Sequence, residues 1–167
     1  VSFRYPGAEE DVLHDISFTA KPGQTTAVIG STGSGKSTLV NLIPRFYDVT
    51  EGSVQMDGHD IRNLKQHDLR EMLGYVPQKG VLFSGDIASN ILFGNPEGSK
   101  EEMEEAAKIA QADEFIENKK NRYKSHISQG GSNVSGGQKQ RLSIARAIAK
   151  HPAVYIFDDS FSALDYK

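Results

Sequence analysis

The sequence predicts an α/β domain built on a mainly parallel central sheet, with a small antiparallel β region and a helical region beside it. Three observations carry that reading. Short β-rich runs alternate with segments of helical periodicity along the chain. A glycine-rich loop, 30–35, joins the β-rich run 25–29 directly to a helical segment. The apolar run 153–157 ends in two consecutive carboxylates, Asp158 and Asp159.

Val1, Phe3 and Tyr5 alternate with Ser2 and Arg4, the pattern of a half-buried strand that Pro6-Gly7 closes. A second short strand is expected over 16–20, ending at Lys21-Pro22-Gly23, and the two together could form an antiparallel flap. Residues 25–29 are mostly apolar and β-rich, so a buried strand is expected there. A helix should follow the loop to about Ile43, with Pro44 marking its end. Residues 53–56 read as a strand and Asp57-Gly58 as a turn, 66–73 as a helix, and 74–76 as a strand before Pro77-Gln78. From Asp86 to Lys120 the pattern is helical and strongly charged, with Met103, Ala106, Ala107 and Ala110 at helical spacing. The acidic cluster Glu101, Glu102, Glu104 and Glu105 reads as a solvated face. Residues 119–133 read as a surface loop, 135–150 as a helix stopped before Pro152, and 153–157 as a buried strand.

Composition bounds the function. Of the 167 residues, 37% are apolar and 25% charged, enough to bury a core and too balanced for a disordered chain. The mean hydropathy is -0.47. No apolar run approaches the ~18 residues of a membrane span. Lys plus Arg number 19 against 22 Asp plus Glu, a net charge of -3, which argues against a generic nucleic-acid binder. With no cysteine, disulfide frameworks and cysteine-based zinc sites are excluded. The histidines His14, His59, His67, His126 and His151 are scattered without ligand spacing. The chain begins at Val1 inside a strand-like run and stops at Lys167 just past a motif, so it is expected to be a domain incomplete at both ends.

Gly30-Ser31-Thr32-Gly33-Ser34-Gly35-Lys36-Ser37 fits the phosphate-binding pattern G-x-x-x-x-G-K-S. Its glycines let the backbone turn tightly and aim N–H groups at an anion, and the helix that follows presents its positive end to the same place. Lys36 supplies a charge to the β- and γ-phosphates, and Ser37 offers a hydroxyl to Mg2+. A dinucleotide fingerprint fails, because Thr38 stands where its third glycine would be. Asp158 ends an apolar strand, and in a parallel sheet that end faces the ligand crevice, so it is a candidate to hold Mg2+ through water. The plainer alternative is a carboxylate capping a following helix. Ser135 with Gln138 three residues later is a capping box, and its glycines leave helix N–H groups uncovered for an anion.

Two further elements, Ser135-Gly136-Gly137-Gln138 after Val134 and Ser162-Ala163-Leu164-Asp165 past the acidic strand, resemble the signature motif and D-loop of ATP-binding cassette (ABC) proteins. The likeness covers essentially the whole chain, including motif order. Phe83-Ser84-Gly85 and Asn90-Ile91-Leu92-Phe93-Gly94 look most like exporters of the multidrug and lipid type. The resemblance implies a P-loop NTPase fold with a helical subdomain over approximately 86–140. It implies ATP and Mg2+ as ligands, with ATP held by Tyr5, Ser31, Thr32, Gly33, Ser34, Gly35, Lys36, Ser37 and Thr38. Tyr5 would stack on adenine, the alternative being a strand aromatic facing the core. Gln78 matches the Q-loop glutamine, which contacts Mg2+ and the attacking water, and Lys36 joins it in the catalytic set. Ser135, Gly136, Gly137 and Gln138 would bind the γ-phosphate of ATP held by a second, homologous but non-identical cassette. Ser162, Ala163, Leu164 and Asp165 would line that dimer interface. Membrane domains fused upstream, a position at the cytoplasmic side of the membrane and no nucleic-acid partner complete the expectation.

Asp159 departs from the family pattern, which has Glu there as general base on water. Asp is one methylene shorter, so its carboxylate should fall roughly 1 Å short, a misplacement that can cost on the order of 100-fold in rate. Asp159 therefore resembles the weakly hydrolytic site of an asymmetric exporter. Three rivals are weighed. A soluble ABC protein of DNA-repair type would insert a long coiled coil between Gln78 and Ser135, and no sustained heptads occur there. A P-loop kinase has no use for the signature motif. A nucleotide-dependent dimerisation switch without useful turnover stays open because of Asp159.

Overall fold

The computed structural model describes residues 1–161, which form two compact units dividing between Glu71 and Met72. The predicted Ser162, Ala163, Leu164 and Asp165 segment lies outside the described residues.

In the first unit, Phe3 bridges Leu13 and Ser2 bridges Glu51, both antiparallel. The expected flap between 1–5 and 16–20 is not formed as a strand pair: the bridge partners of the first run are Leu13 and Glu51, outside 16–20. Helix α1 spans Lys36–Leu42 and α2 spans Gln66–Glu71. Strands β1 (Gln55–Met56) and β2 (His59–Asp60) pair antiparallel. Asp57 and Gly58 join them with φ of 50° and 78°, the positive pair that a two-residue primed turn demands. Phe3, Leu13 and Leu42 form the core of this unit, with Tyr5, Ile16, Leu39, Val49 and Val54 packed against it. Two arginine clamps fasten its surface. Arg45 donates to Asp48, Arg62 donates to Asp60, and Arg45 also donates to the Arg62 carbonyl at 3.1 Å. These hydrogen bonds hold both carboxyls below the usual aspartate range.

The expected strand over 25–29 is not assigned, and Ile29 is 93% exposed. The expected strand over 16–20 is likewise absent, with Phe18 exposed. Apolar, β-branched content gives a segment the capacity to be a strand. The ladder itself needs a backbone partner, and the described hydrogen bonds of this unit supply none to 25–30.

In the second unit, β3 (Leu73–Val76) pairs parallel with β6 (Val154–Phe157), Leu73 opposite Val154 and Val76 opposite Phe157. Between them run α3 (Ile87–Ile91), α4 (Lys100–Ile109), α5 (Asp113–Glu117) and α6 (Gly136–Ala149). A short antiparallel pair, β4 (Gly85–Asp86) with β5 (His126–Ile127), ties the start of α3 to the chain after α5. Ser99 and Glu102 close a capping box on α4, whose Met103, Ala106 and Ala107 turn inward while its glutamates stay at the surface. The core joins these residues to Val76, Leu82, Ile87, Ile91, Ile127 and Leu142. Gly74 shows how tightly α6 sits on β3: a Cβ there would lie 3.3 Å from the Ala147 carbonyl and 2.7 Å from Pro152. The strand β6 is present where expected but is not fully buried. Ile156 is inside, while Tyr155 and Phe157 stand exposed and stacked at 6.2 Å, with Phe161 continuing the row. An apolar run cannot by itself say whether both faces of its strand are covered. No helix among the described residues is long and apolar enough to cross a membrane.

Candidate functional site

The loop 30–35 in the first unit has the backbone its glycines allow. Gly33 and Gly35 have φ of 81° and 88°, in the left-handed region open to glycine at no steric cost. Nothing lies within 4 Å of a Cβ built on Gly33, so that edge of the loop is clear for an incoming group. Gly35 is hemmed in: a Cβ there would meet Leu13 at 2.9 Å and the Val12 carbonyl at 3.3 Å. Gly35→Ala should therefore combine backbone strain of about 1–2 kcal/mol with that clash. The expected outcome is a roughly tenfold or larger rise in the dissociation constant for ATP, read by calorimetric titration.

Lys36 Nζ donates to the carbonyls of Gly30 and Ser31, both at 2.7 Å. The ammonium is thus fixed over the loop by neutral acceptors, which orient its charge without cancelling it. An anion entering the loop meets that charge already placed. Ser37 is exposed one residue on. No cluster of three or more His, Cys, Asp or Glu able to hold a metal occurs among the described residues. A hydroxyl beside substrate phosphates is the oxygen-only, partly hydrated environment that suits Mg2+, so the donors present fit that ion.

Tyr5 is tied to the same helix. Its hydroxyl and that of Thr38 are 2.9 Å apart, and Thr38 is buried. The Tyr5 ring packs edge-on against Phe3 at 4.9 Å and Tyr47 at 5.2 Å. The ring is partly buried against the core of the unit, and its hydroxyl reaches the helix that carries Lys36.

The second unit gathers the other candidates. Asp158 sits half-buried at the end of β6, its N–H donating to the Val76 carbonyl at 3.0 Å. Burial and, secondarily, the charge of Asp158 push the Tyr75 phenol up. Asp159 is exposed, with φ of 46°. That left-handed backbone is uncommon for a residue with a Cβ, and Asp and Asn are the types that visit it most. Gln78 Nε2 donates to Asp159 Oδ2 at 3.1 Å, so two residues far apart in sequence meet side chain to side chain. The capping box at the start of α6 is formed as expected. Ser135 Oγ accepts from the Gln138 N–H, and the Ser135 N–H donates to Gln138 Oε1, each at 3.2 Å. Gly136 is exposed with open space where a Cβ would stand.

Four residues in this unit have structural roles that their sequence did not suggest. Ser160 is fully buried and donates to the Val76 carbonyl at 2.7 Å, locking the end of β6 to the end of β3. Gln140, 1% exposed, donates to the Pro77 carbonyl at 3.1 Å. Asn90 and Arg146 hold one another and the loop before α3. Arg146 donates to the Asn90 carbonyl at 2.8 Å, to Asn90 Oδ1 at 2.9 Å and to the Val81 carbonyl at 2.9 Å. The guanidinium also lies over the rings of Phe83 and Phe93, 5.0 and 5.6 Å from their centroids. Gln140, Ser143 and Ala147 share the inward stripe of α6, but residue type alone does not separate Gln140 there from a surface glutamine.

A model of the ABC transporter family matches residues 13–162. The chain belongs to that family. An ABC transporter ATP-binding protein of Mycobacterium tuberculosis is 53% identical over 98% of the chain and 28% of its own length. A Staphylococcus aureus protein whose name assigns it to multidrug export, as an ATP-binding/permease protein, is 47% identical over 99% of the chain and 28% of its own length. Among solved structures, a bacterial Atm1-family ABC exporter with ATP bound superposes with a TM-score of 0.94 at 41% identity, over 99% of this chain and 29% of that one. The chain thus has the ABC ATP-binding fold and spans under a third of the length of these relatives.

Proposed function

We propose that this ABC domain binds and hydrolyses ATP with Mg2+ to drive export across a membrane. The observation that carries the reading is the loop 30–36, with its two left-handed glycines and the Lys36 ammonium fixed above it by neutral carbonyls. The residues that bind ATP are Ser31 to Thr38, with Tyr5 at the adenine. Ser37 holds Mg2+, which supplies charge neutralisation to the phosphates when bound. Asp158 and Gln78 are proposed as further ligands to the ion, and Asp159 as the base that orients the attacking water, with Gln78 beside it. Ser135, Gly136, Gly137 and Gln138 face the γ-phosphate bound by a second, homologous and non-identical cassette, and residues 86–140 act as the helical subdomain. The relatives named as exporters support fused membrane domains and a place at the cytoplasmic face. Titrating the full-length protein with ATP and Mg2+ tests the reading: saturable binding that needs both is expected, and no saturation would overturn it.

A second reading is favoured by Asp159, namely a cassette that closes on ATP as a dimerisation switch and turns it over slowly. Asp159→Glu separates the two. Lengthening the side chain is expected to raise turnover at this site about tenfold or more, less what Glu loses in a left-handed backbone. Single-turnover hydrolysis with the native partner gives the answer, and an unchanged rate would remove the idea that Asp159 limits the site.

A further inference from the structure

We propose that Gln140 is a positioning residue, one that sets the place of Gln78 from the helix bearing Ser135 to Gln138. The inference rests on the reading that the chain binds ATP at 30–38 and offers 135–138 to a second nucleotide. Gln140 lies one turn into α6 and is 1% exposed, yet it is neither apolar nor charged. A buried amide is costly unless its groups are paired. Its Nε2 donates to the carbonyl of Pro77, the residue directly before Gln78. Proline has no N–H of its own, so this carbonyl is the only main-chain hydrogen-bonding group by which residue 77 can be held.

The rest of the segment follows the same helix. Gly80 lies so close to α6 that a Cβ would come within 2.8 Å of the Lys139 carbonyl oxygen and 2.9 Å of Ser143 Oγ. Arg146, further along α6, holds the Val81 carbonyl. The stretch 77–81 is therefore fastened to one helix at three successive points. Gln78, between the first two, donates to Asp159. A shift of α6 driven at its capped end is passed by Gln140 to Pro77, and from there to the Gln78–Asp159 contact. Occupancy of the signature end thereby bears on the carboxylate at the end of β6. A hydrogen-bonded chain between rigid elements is a route for coupling only if its members act together, and that is measurable.

The experiment is a double-mutant cycle in the full-length protein with its native partner. Gln140→Met keeps the shape and removes the donor; Gln140→Asn keeps the amide but is too short to reach Pro77. In each, kcat for ATP hydrolysis is expected to fall roughly tenfold, the equivalent of one lost hydrogen bond, with KM for ATP unchanged within about twofold. On a Gln78→Ala background the same changes should cost nothing further. Additive losses, an unchanged kcat, or an effect confined to thermal stability would overturn the proposal. Hydrogen exchange on the unaltered protein gives a check that no folding defect can spoil. Adding ATP should change the protection of the amides of residues 78–82 in step with those of 135–142, and independent responses would count against Gln140. Lys36→Ala, run in parallel, tells the two readings apart. If it leaves both ATP binding and hydrolysis intact, the nucleotide reading fails; if it impairs either while Gln140 and Gln78 remain additive, only the present proposal does.

Discussion

Lys36→Ala is expected to lower ATP hydrolysis by on the order of 100- to 1,000-fold, the scale seen when one fixed electrostatic donor is taken from a reacting group. The geometry says why the loss should be large. The Lys36 ammonium is oriented by two carbonyls of its own loop, Gly30 and Ser31, at 2.7 Å each. Neither acceptor carries a formal charge, so the whole unit of positive charge remains for phosphate oxygens. Lys36→Arg should not rescue the activity, because a planar guanidinium cannot take the place of a compact ammonium between those two carbonyls. The stability of the protein should barely respond. Both bonds are solvent-exposed, and surface changes of this kind usually stay within about 0.5 kcal/mol. Activity lost with an unchanged melting temperature is the outcome to look for, by ATPase assay and calorimetry on one preparation. A variant that kept wild-type turnover would remove Lys36 from the catalytic set.

The opposite pattern is expected at Arg146. Burial draws its guanidinium down to about 10, which still leaves it protonated at neutral pH. Stability is insensitive to this group below that value. Between it and the unfolded arginine value the unfolded chain binds the extra proton, so over that alkaline interval the group's contribution rises with pH. Near neutrality Arg146 is a partly buried cation held by three neutral oxygens and two aromatic faces. Arg146→Leu removes the donors to the Asn90 and Val81 carbonyls together. The part-buried Asn90 carbonyl loses its donor at a cost of about 1–3 kcal/mol, whereas the Val81 carbonyl lies at an exposed contact where water can replace the guanidinium. A net loss of about 2 kcal/mol is expected, a fall in melting temperature of roughly 4–8 °C. Asn90 Oδ1 keeps the Phe83 N–H as a donor, which limits the damage. Arg146→Lys should fall between the two, since it retains the charge but not the fork. Thermal unfolding at neutral pH decides it, and a shift under about 2 °C would mean that the guanidinium is not what holds α6 to the loop before α3.

What could be read from the sequence was local. The loop 30–37 announces itself because its glycines and lysine serve one backbone conformation whatever surrounds them. The start of α6 was equally plain, since Ser135 and Gln138 cap each other across a single turn. The Asp57-Gly58 hairpin turn belongs to the same class. Elements whose identity depends on a distant partner were not legible. Residues 25–29 have the composition of a buried strand, but no ladder is assigned there and Ile29 is exposed. The run 153–157 did become a strand, yet pairing with β3 left its aromatic rings open rather than covered. The polar residues that bind the second unit together were invisible for a related reason. Gln140 and Arg146 look like ordinary helix-surface residues until the 77–90 segment is folded against them. Asp159 falls between these cases: its shortened side chain was evident from type alone, while its left-handed backbone and its bond to Gln78 were not.

The open row of rings along β6 has a practical consequence at the bench. Tyr155, Phe157 and Phe161 present adjoining aromatic faces to solvent. Contiguous apolar surface of that kind draws molecules together as concentration rises. The polypeptide of residues 1–167, prepared alone, should be colloidally unstable: its light scattering should climb with protein concentration and with kosmotropic salt, and mild chaotropes should reverse it. Charge on that row, for instance Phe157→Lys, should keep such a preparation dispersed without touching the loop that carries Lys36.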